Sequence, residues 1–288
     1  MVTLVAVFMA IGLGVLFGAT FIDQNIVEGL EAAQVRLGTR NETLRRRILE
    51  QEKQNEALTA FASSVRDQVV RGALEGRPVM LFSMDSTPGD VRDAIEATLA
   101  VAGARIMGEL TLSDELDLEN EDARRRLAAG LATTSTQPNV LSELLVAQVT
   151  GELLGRNPPV LQKLIDNGLA EGQMGPVAPP AEGQPPAMPL VVLVAGNTSK
   201  QLNDRLVVPL AESLAAGPVV AAVAEAGPDE TVLRSLRDRS VNVVTVDNAE
   251  TAVSQAALVA GLRSAMGGQF GNYGTGEGAT TILPSPPA

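Results

Sequence analysis

The chain has 288 residues, 45% hydrophobic and 19% charged, with a net charge of −12, so it can bury a core and carry an accessory segment but is poorly suited to nucleic acid or anionic membrane surfaces. It contains no cysteine and no histidine, which excludes thiol nucleophiles, disulfides, imidazole bases and the commonest soft or borderline metal ligands. Catalysis would have to rest on Ser/Lys, carboxylate pairs or an oxygen-held hard cation, and the expectation is that the protein is not an enzyme.

The first 22 residues, MVTLVAVFMAIGLGVLFGATFI, carry no charged side chain and as a helix would rise about 33 Å, enough for a hydrocarbon core. They read as a transmembrane helix (1–22) rather than a cleaved signal, since no basic start precedes the apolar run. Ala10, Gly14 and Gly18 recur at four-residue spacing, which permits close helix approach in lipid. Asp23, Glu28 and Glu31 follow directly and the first arginine is Arg36, so the positive-inside bias does not retain the C-terminal side. The expected placement is the cell membrane, single-pass, with an extracytoplasmic C-terminal domain.

Residues 23–77 hold nine Lys/Arg against nine Asp/Glu, so the rest of the chain carries the whole net charge. From Val27 a seven-residue pattern runs on, with Val27, Gln34, Asn41, Ile48, Asn55, Ala62 and Val69 at a and Leu30, Leu37, Leu44, Gln51, Leu58 and Val65 at d. Sustained a/d spacing predicts a coiled coil. Polar residues at a, here Gln34, Asn41 and Asn55, commonly fix register and favour two strands, so a parallel homodimer is expected, with Arg47 at g facing Glu52 at e of the partner. The other reading is a single amphipathic helix that packs on another protein's coil.

After Gly76 the period changes. PVMLFSMD (78–85) and RIMGELTL (105–112) read as buried strands, with a helix between them that has Thr87 as N-cap and Pro88 at its first position. Helical stretches follow up to a proline-rich insertion (172–189) with six prolines, expected to be an exposed loop. LVVLVAG, PVVAAVAEAG and VNVVTVD then alternate with helices, which predicts a doubly wound, Rossmann-like α/β domain (78–288) with a mainly parallel sheet covered on both faces.

Ligands of such sheets bind beyond the carboxyl ends of the strands. Ser83, Asp85, Asn197, Ser199, Lys200 and Asp247 fall in loops there, and Ser199 beside Lys200 is the nearest approach to a nucleophile with a base. Thr87, Thr198 or Ser199, and Asn248 are the residue types that cap helices. SDELDLENED (113–122) gathers six carboxylates but lacks the glycine and spacing of a calcium loop, so it reads as a solvated turn. Met80 and Met84 share one face of the first strand and Met107 lies on the second; thioethers bind Cu(I), yet methionine in an apolar strand ordinarily fills core.

Near the C-terminus the chain reads GNYGTGEGATTILP (271–284), with its single tyrosine among four glycines. A phosphate-binding glycine loop follows a strand and opens a helix. Here the glycines follow a helix and precede ATTILP, which reads as a strand, so the segment is expected to reverse the chain, with Gly274, Gly276 and Gly278 open to positive φ and Tyr273 as an anchor.

The ending NYGTGEGATTILP, with VTLVAVFMAIGLGVLFGATF at the start and the coil between them, resembles the actinobacterial copper transporter MctB / SteB family of envelope proteins over essentially the whole chain. Tyr273, Gly274, Gly276 and Gly278 carry the C-terminal motif of that resemblance. It implies copper transport or homeostasis across the envelope; for SteB-like members it implies instead control of cell-wall hydrolysis at division, through a membrane partner, SteA, and a hydrolase recruited by the coil. Family endings of this form place a histidine after YGTG, where this chain has Glu277. Copper sites would therefore fall to methionines alone, with Met80, Met84 and Met107 as candidates, and no other cofactor is expected. A non-catalytic coiled-coil scaffold, dimerising through Val27, Leu30, Leu37, Asn41, Leu44, Ile48, Asn55, Leu58 and Val65, is what the residues themselves support.

Overall fold

The computed structural model describes the backbone of residues 2–156, 159–175, 189–227 and 231–284, with the side chains of all of these except residues 2 and 18–32. It contains two compact units, residues 1–58 and 59–288. Helix α1 runs from Val2 to Val70 and supplies the described elements of the first unit.

No helix among the described residues is long and apolar enough to cross a membrane, which overturns the transmembrane helix expected over 1–22 and removes the support for the single-pass placement. Gly18, Val27 and Leu30 lie outside the residues whose side chains are described.

The second unit holds a seven-stranded sheet in the order β3-β2-β1-β4-β5-β6-β7. The strands are β1 (Pro78–Met84), β2 (Arg105–Leu112), β3 (Ala170–Met174), β4 (Leu190–Ala195), β5 (Val220–Glu225), β6 (Val244–Val246) and β7 (Asn272–Tyr273). Every pair is parallel except β2 with β3. Helices α2 (Gly89–Val101), α3 (Glu121–Gly130), α4 (Pro138–Leu153), α5 (Leu161–Asp166), α6 (Lys200–Leu202), α7 (Val208–Ala215), α8 (Thr231–Asp238) and α9 (Ala252–Met266) cover it.

All residues of β1, β4 and β6 are buried, as continuous Val-rich strands must be when helices cover both faces. Alternation sorts the side chains into two layers. Met80, Phe82, Met84, Val191 and Leu193 join α3, α4, α5, α7 and α8; Val79, Leu81, Leu190, Val192 and Val194 join α2, α9, Val70 at the end of α1 and Leu74 in the turn after it. Each fully buried Leu or Val contributes on the order of 1.5–3 kcal/mol relative to exposure.

Three local expectations need correction. Residues 170–174, expected as the end of a helical stretch and the start of the proline-rich insertion, form edge strand β3, and residues 176–188 of that insertion lie outside the described residues. The last strand is Asn272–Tyr273 rather than ATTILP; Thr281 only bridges back to Tyr273, because the tyrosine ring, 5% exposed, is what the core accepts. Helix α2 starts at Gly89 with Pro88 before it and no side-chain cap, since the Thr87 hydroxyl donates to the carbonyl of Val194 at 3.1 Å instead.

Candidate functional site

Strand order reverses between β1 and β4, where a doubly wound sheet opens its ligand crevice. Here that point is filled by backbone: a Cβ on Gly196 would stand 2.6 Å from the Ser86 carbonyl oxygen and 2.7 Å from the Thr87 Cα. The polar residues expected to converge at the strand ends disperse instead. Ser83 is buried against the Thr111 hydroxyl at 3.0 Å; Ser199 caps α6 by accepting from the Leu202 amide at 3.2 Å; Asp85, Asn197 and Lys200 are exposed. Ser199 is thus a helix cap, as its residue type suggests, and not a nucleophile held by Lys200. Thr198 and Asn248 do not cap: Thr198 donates to Asn203 Oδ1 at 2.6 Å, and Asn248, with φ of 49°, donates to Asp247.

A buried polar chain at the end of β5 was not visible in sequence. Glu225, fully buried, accepts from the Leu233 amide at 2.9 Å, the Val232 amide at 3.1 Å and the Thr231 hydroxyl at 3.3 Å. Thr231 in turn meets Asn203, which meets Thr198. Burial raises the Glu225 carboxyl above its ordinary value, and the helix amides counter only part of that. The arrangement is a carboxylate placed on the first turn of α8, where orphan amides and the helix dipole favour negative charge.

Asp247 organises the glycine segment. Its carboxylate, fully buried, accepts from the amides of Thr275 at 2.8 Å and Gly276 at 3.1 Å, from Asn248 Nδ2 at 2.8 Å and from Arg237 Nη2 at 3.0 Å. Burial alone would raise this carboxyl; the Thr275 amide, the Arg237 guanidinium, Asn248 and the Gly276 amide together hold it below its ordinary value. Arg237 also donates to the Thr245 hydroxyl at 3.1 Å and to the carbonyls of Glu277 at 2.6 Å and Tyr273 at 3.3 Å. The Glu277 carboxylate faces solvent beside Arg234, 3.2 Å away.

The glycine segment is therefore an anion cradle whose anion belongs to the chain itself. Gly274 (φ 127°) and Gly278 (φ 78°) take left-handed conformations, and a Cβ on Gly274 would run into the Asp247 carboxylate. Gly276, expected to share that role, does not; it contributes its amide instead. Tyr273 anchors the segment in the core with Val244 and Val246.

The copper candidates separate. Met80 and Met84 lie in one core layer. Met107 falls at a β-bulge, where the β1–β2 register passes from Val79↔Ile106 to Met80↔Gly108, and belongs to neither layer. Met174, which sequence reasoning passed over, packs against the layer that holds Met80. No group of three or more acidic side chains able to hold a metal ion occurs among the described residues. In the 113–122 segment Ser113 and Asn120 spend their side chains as helix caps.

Along α1 the large apolar seam side chains that are described are exposed, Leu37 67%, Leu44 49%, Ile48 51%, Leu58 64% and, in the second unit, Val65 36%, whereas Ala62 is half-buried. Asn41 and Asn55 are exposed as well. In the last turns, on the flank next to the seam, Arg66 donates to Gln255 Oε1 at 2.6 Å, Gln255 is 2% exposed, and Val70 is buried.

A family model described as "Copper transport outer membrane protein, MctB" matches residues 1–284. Proteins described as "Copper transporter MctB" from Mycobacterium bovis and Mycobacterium tuberculosis are each 25% identical to the chain over 308 aligned residues, which cover 99% of it and 97% of the relative. With a match that takes in the first apolar residues, the long helix, the sheet and the glycine cradle, the chain belongs to the MctB family.

Proposed function

We propose that this chain is a non-catalytic protein of the cell envelope that serves copper transport or homeostasis, and that it works as a scaffold which self-associates through α1 as a parallel coiled-coil dimer. The supporting observation is the exposed apolar series Leu37, Leu44, Ile48 and Leu58, at seam spacing and with Asn41 and Asn55 in register among them. Exposed leucines repeated at that spacing are stabilised by a second helix, and asparagine at a favours two strands. The copper side rests on the family and on the description of its mycobacterial members. With no histidine or cysteine, soft metal donors in this chain reduce to thioethers.

Sedimentation of the full chain tests the scaffold. The wild-type protein should sediment as a dimer, and replacing Leu37, Leu44 and Leu58 together with glutamine should give monomers; a triple variant that stays dimeric overturns the reading. Copper tolerance of a strain lacking the gene, with and without the wild-type gene restored, tests the copper role.

The weak polar positions Gln34, Asn41 and Asn55 favour a second reading, a SteB-like regulator whose coil pairs with a partner's helix, through a SteA-type membrane partner and a cell-wall hydrolase. Crosslinking in the native envelope separates the two: products of twice the chain mass support self-association, and products with a heterologous coil support regulation.

A further inference from the structure

We propose that Met80 and Met174 together form a binding point for one soft monovalent cation, Cu(I) or its analogue Ag(I), above Gly108. The proposal deepens the copper reading above and rests on it. Its geometry comes from the sheet: β2 lies between β1 and β3, and the registers Met80↔Gly108 and Gly108↔Met174 place the three residues in one cross-strand row. Side chains of one row leave the sheet on the same face. Residues two strands apart are ordinarily roughly 9.5 Å from each other.

Glycine in the middle removes the intervening side chain, and both methionines lean into the gap. The Met80 sulfur lies 2.8 Å and the Met174 sulfur 3.1 Å from where a Cβ on Gly108 would stand. The two thioethers therefore flank one point.

The surroundings select the ligand class. Met80 is 3% exposed within an apolar layer, so the site offers polarizable sulfur and none of the carboxylates a hard cation needs. An apolar setting also penalises two charges more than one, which favours a monovalent ion. Met174 is only partly buried and ends edge strand β3, which gives the ion a way in from the sheet edge. Met84 pairs with Leu112, further along the sheet, and Met107 occupies the bulge, so neither completes this pair. The competing account is simple packing, in which two flexible side chains fill the space a glycine leaves.

Anaerobic titration of the full-length protein with Cu(I), against a chromogenic chelator, decides between them. The wild-type chain should bind Cu(I), and Met80→Leu with Met174→Leu should lose one equivalent, while Met84→Leu with Met107→Leu retains it. Gly108→Ala, whose methyl would press on both sulfurs, should weaken binding at least tenfold. Leucine conserves the volume of methionine, so the double variant should keep its fold, which its melting profile checks. X-ray absorption of the wild-type complex gives an independent reading: two sulfur neighbours at the copper support the site, and a shell of oxygen or nitrogen alone overturns it. Unchanged stoichiometry in the double variant, or no binding by the wild type, overturns it as well. In cells the two levels part: if wild type and the double variant restore copper tolerance equally, the site falls and the copper role stands; if neither restores it, the copper role falls.

Discussion

The Arg237 guanidinium lies 3.0 Å from the Asp247 carboxylate, with 4% and 0% of their side chains exposed. They come from α8 and the end of β6, and between them they hold four residues of the C-terminal strap: Tyr273, Thr275, Gly276 and Glu277. Removing one partner of a buried pair leaves an uncompensated charge, at a cost of about 3–5 kcal/mol. Arg237→Met should therefore lower the unfolding free energy by that order and expose the strap, read by urea titration and by proteolysis near residue 275. Loss of under 1 kcal/mol would mean the pair is not what holds the strap.

The same carboxylate gives an acid limb to stability. Its folded-state value lies below the ordinary 3.8, so the unfolded chain takes up the proton first. The contribution is complete above the ordinary value and is lost as pH falls through it toward the folded-state value. Urea unfolding from pH 7 down to pH 3 should show wild type losing stability in the acid range and Asp247→Asn losing less. Glu225 acts in the opposite sense: its folded value lies above 4.5, so its favourable contribution is present below 4.5 and is lost as pH rises through the folded value. Glu225→Gln should accordingly gain relative to wild type as pH rises.

Two glycines separate strain from collision. At Gly76 φ is 67° and nothing lies within 4 Å of an added Cβ, so Gly76→Ala should cost only the left-handed strain, about 1–2 kcal/mol. Gly274→Ala adds a clash with the Asp247 carboxylate. Its melting temperature should fall below that of Gly76→Ala, and the Asp247-dependent acid limb should shrink with it.

The base of α1 is pinned by one charged hydrogen bond. Arg66 Nη1 meets Gln255 Oε1 at 2.6 Å, Gln255 donates to the Ala249 carbonyl at 3.2 Å, and Thr98 reaches the same Gln255 oxygen. Hydrogen bonds to charged groups contribute about 1.5–3 kcal/mol. Arg66→Ala should speed amide exchange over residues 61–70 by an order of magnitude or more, with exchange in β1 and β4 unchanged.

Sequence reasoning reached the features that composition and period determine. The Val-rich runs at 190–195, 220–225 and 244–246 are strands, and the switch from helical to strand period falls between Val70, the end of α1, and Pro78, the start of β1. What it missed depends on pairing. AEGQM has no apolar run, and it is a strand because β2 supplies partners for it; Met174 reaches Met80 only through that pairing. Arg237 reads as one more charge on a helix until the fold sets it beside Asp247. ATTILP suggested a final strand, yet Ile282 and Leu283 are 51% and 43% exposed, and two residues, Asn272 and Tyr273, make that strand. For the N-terminal apolar run, composition extended a span through residues 1–22, and no helix among the described residues is long and apolar enough to be one.

Tyr273 is the only tyrosine in a chain without tryptophan, and its ring sits 5% exposed under the glycine strap. Its hydroxyl oxygen lies 2.5 Å from where a Gly271 side chain would begin, and its ring edge 2.9 Å from the position of one on Gly261. Apart from phenylalanine, all near-ultraviolet signal of the protein thus comes from the residue that closes the strap. Opening of this one segment can be followed by the intrinsic fluorescence and phenol absorbance of the unlabelled protein, and burial, which raises the phenol's ionisation above its ordinary 10.0, makes alkaline titration a second optical readout of the same latch.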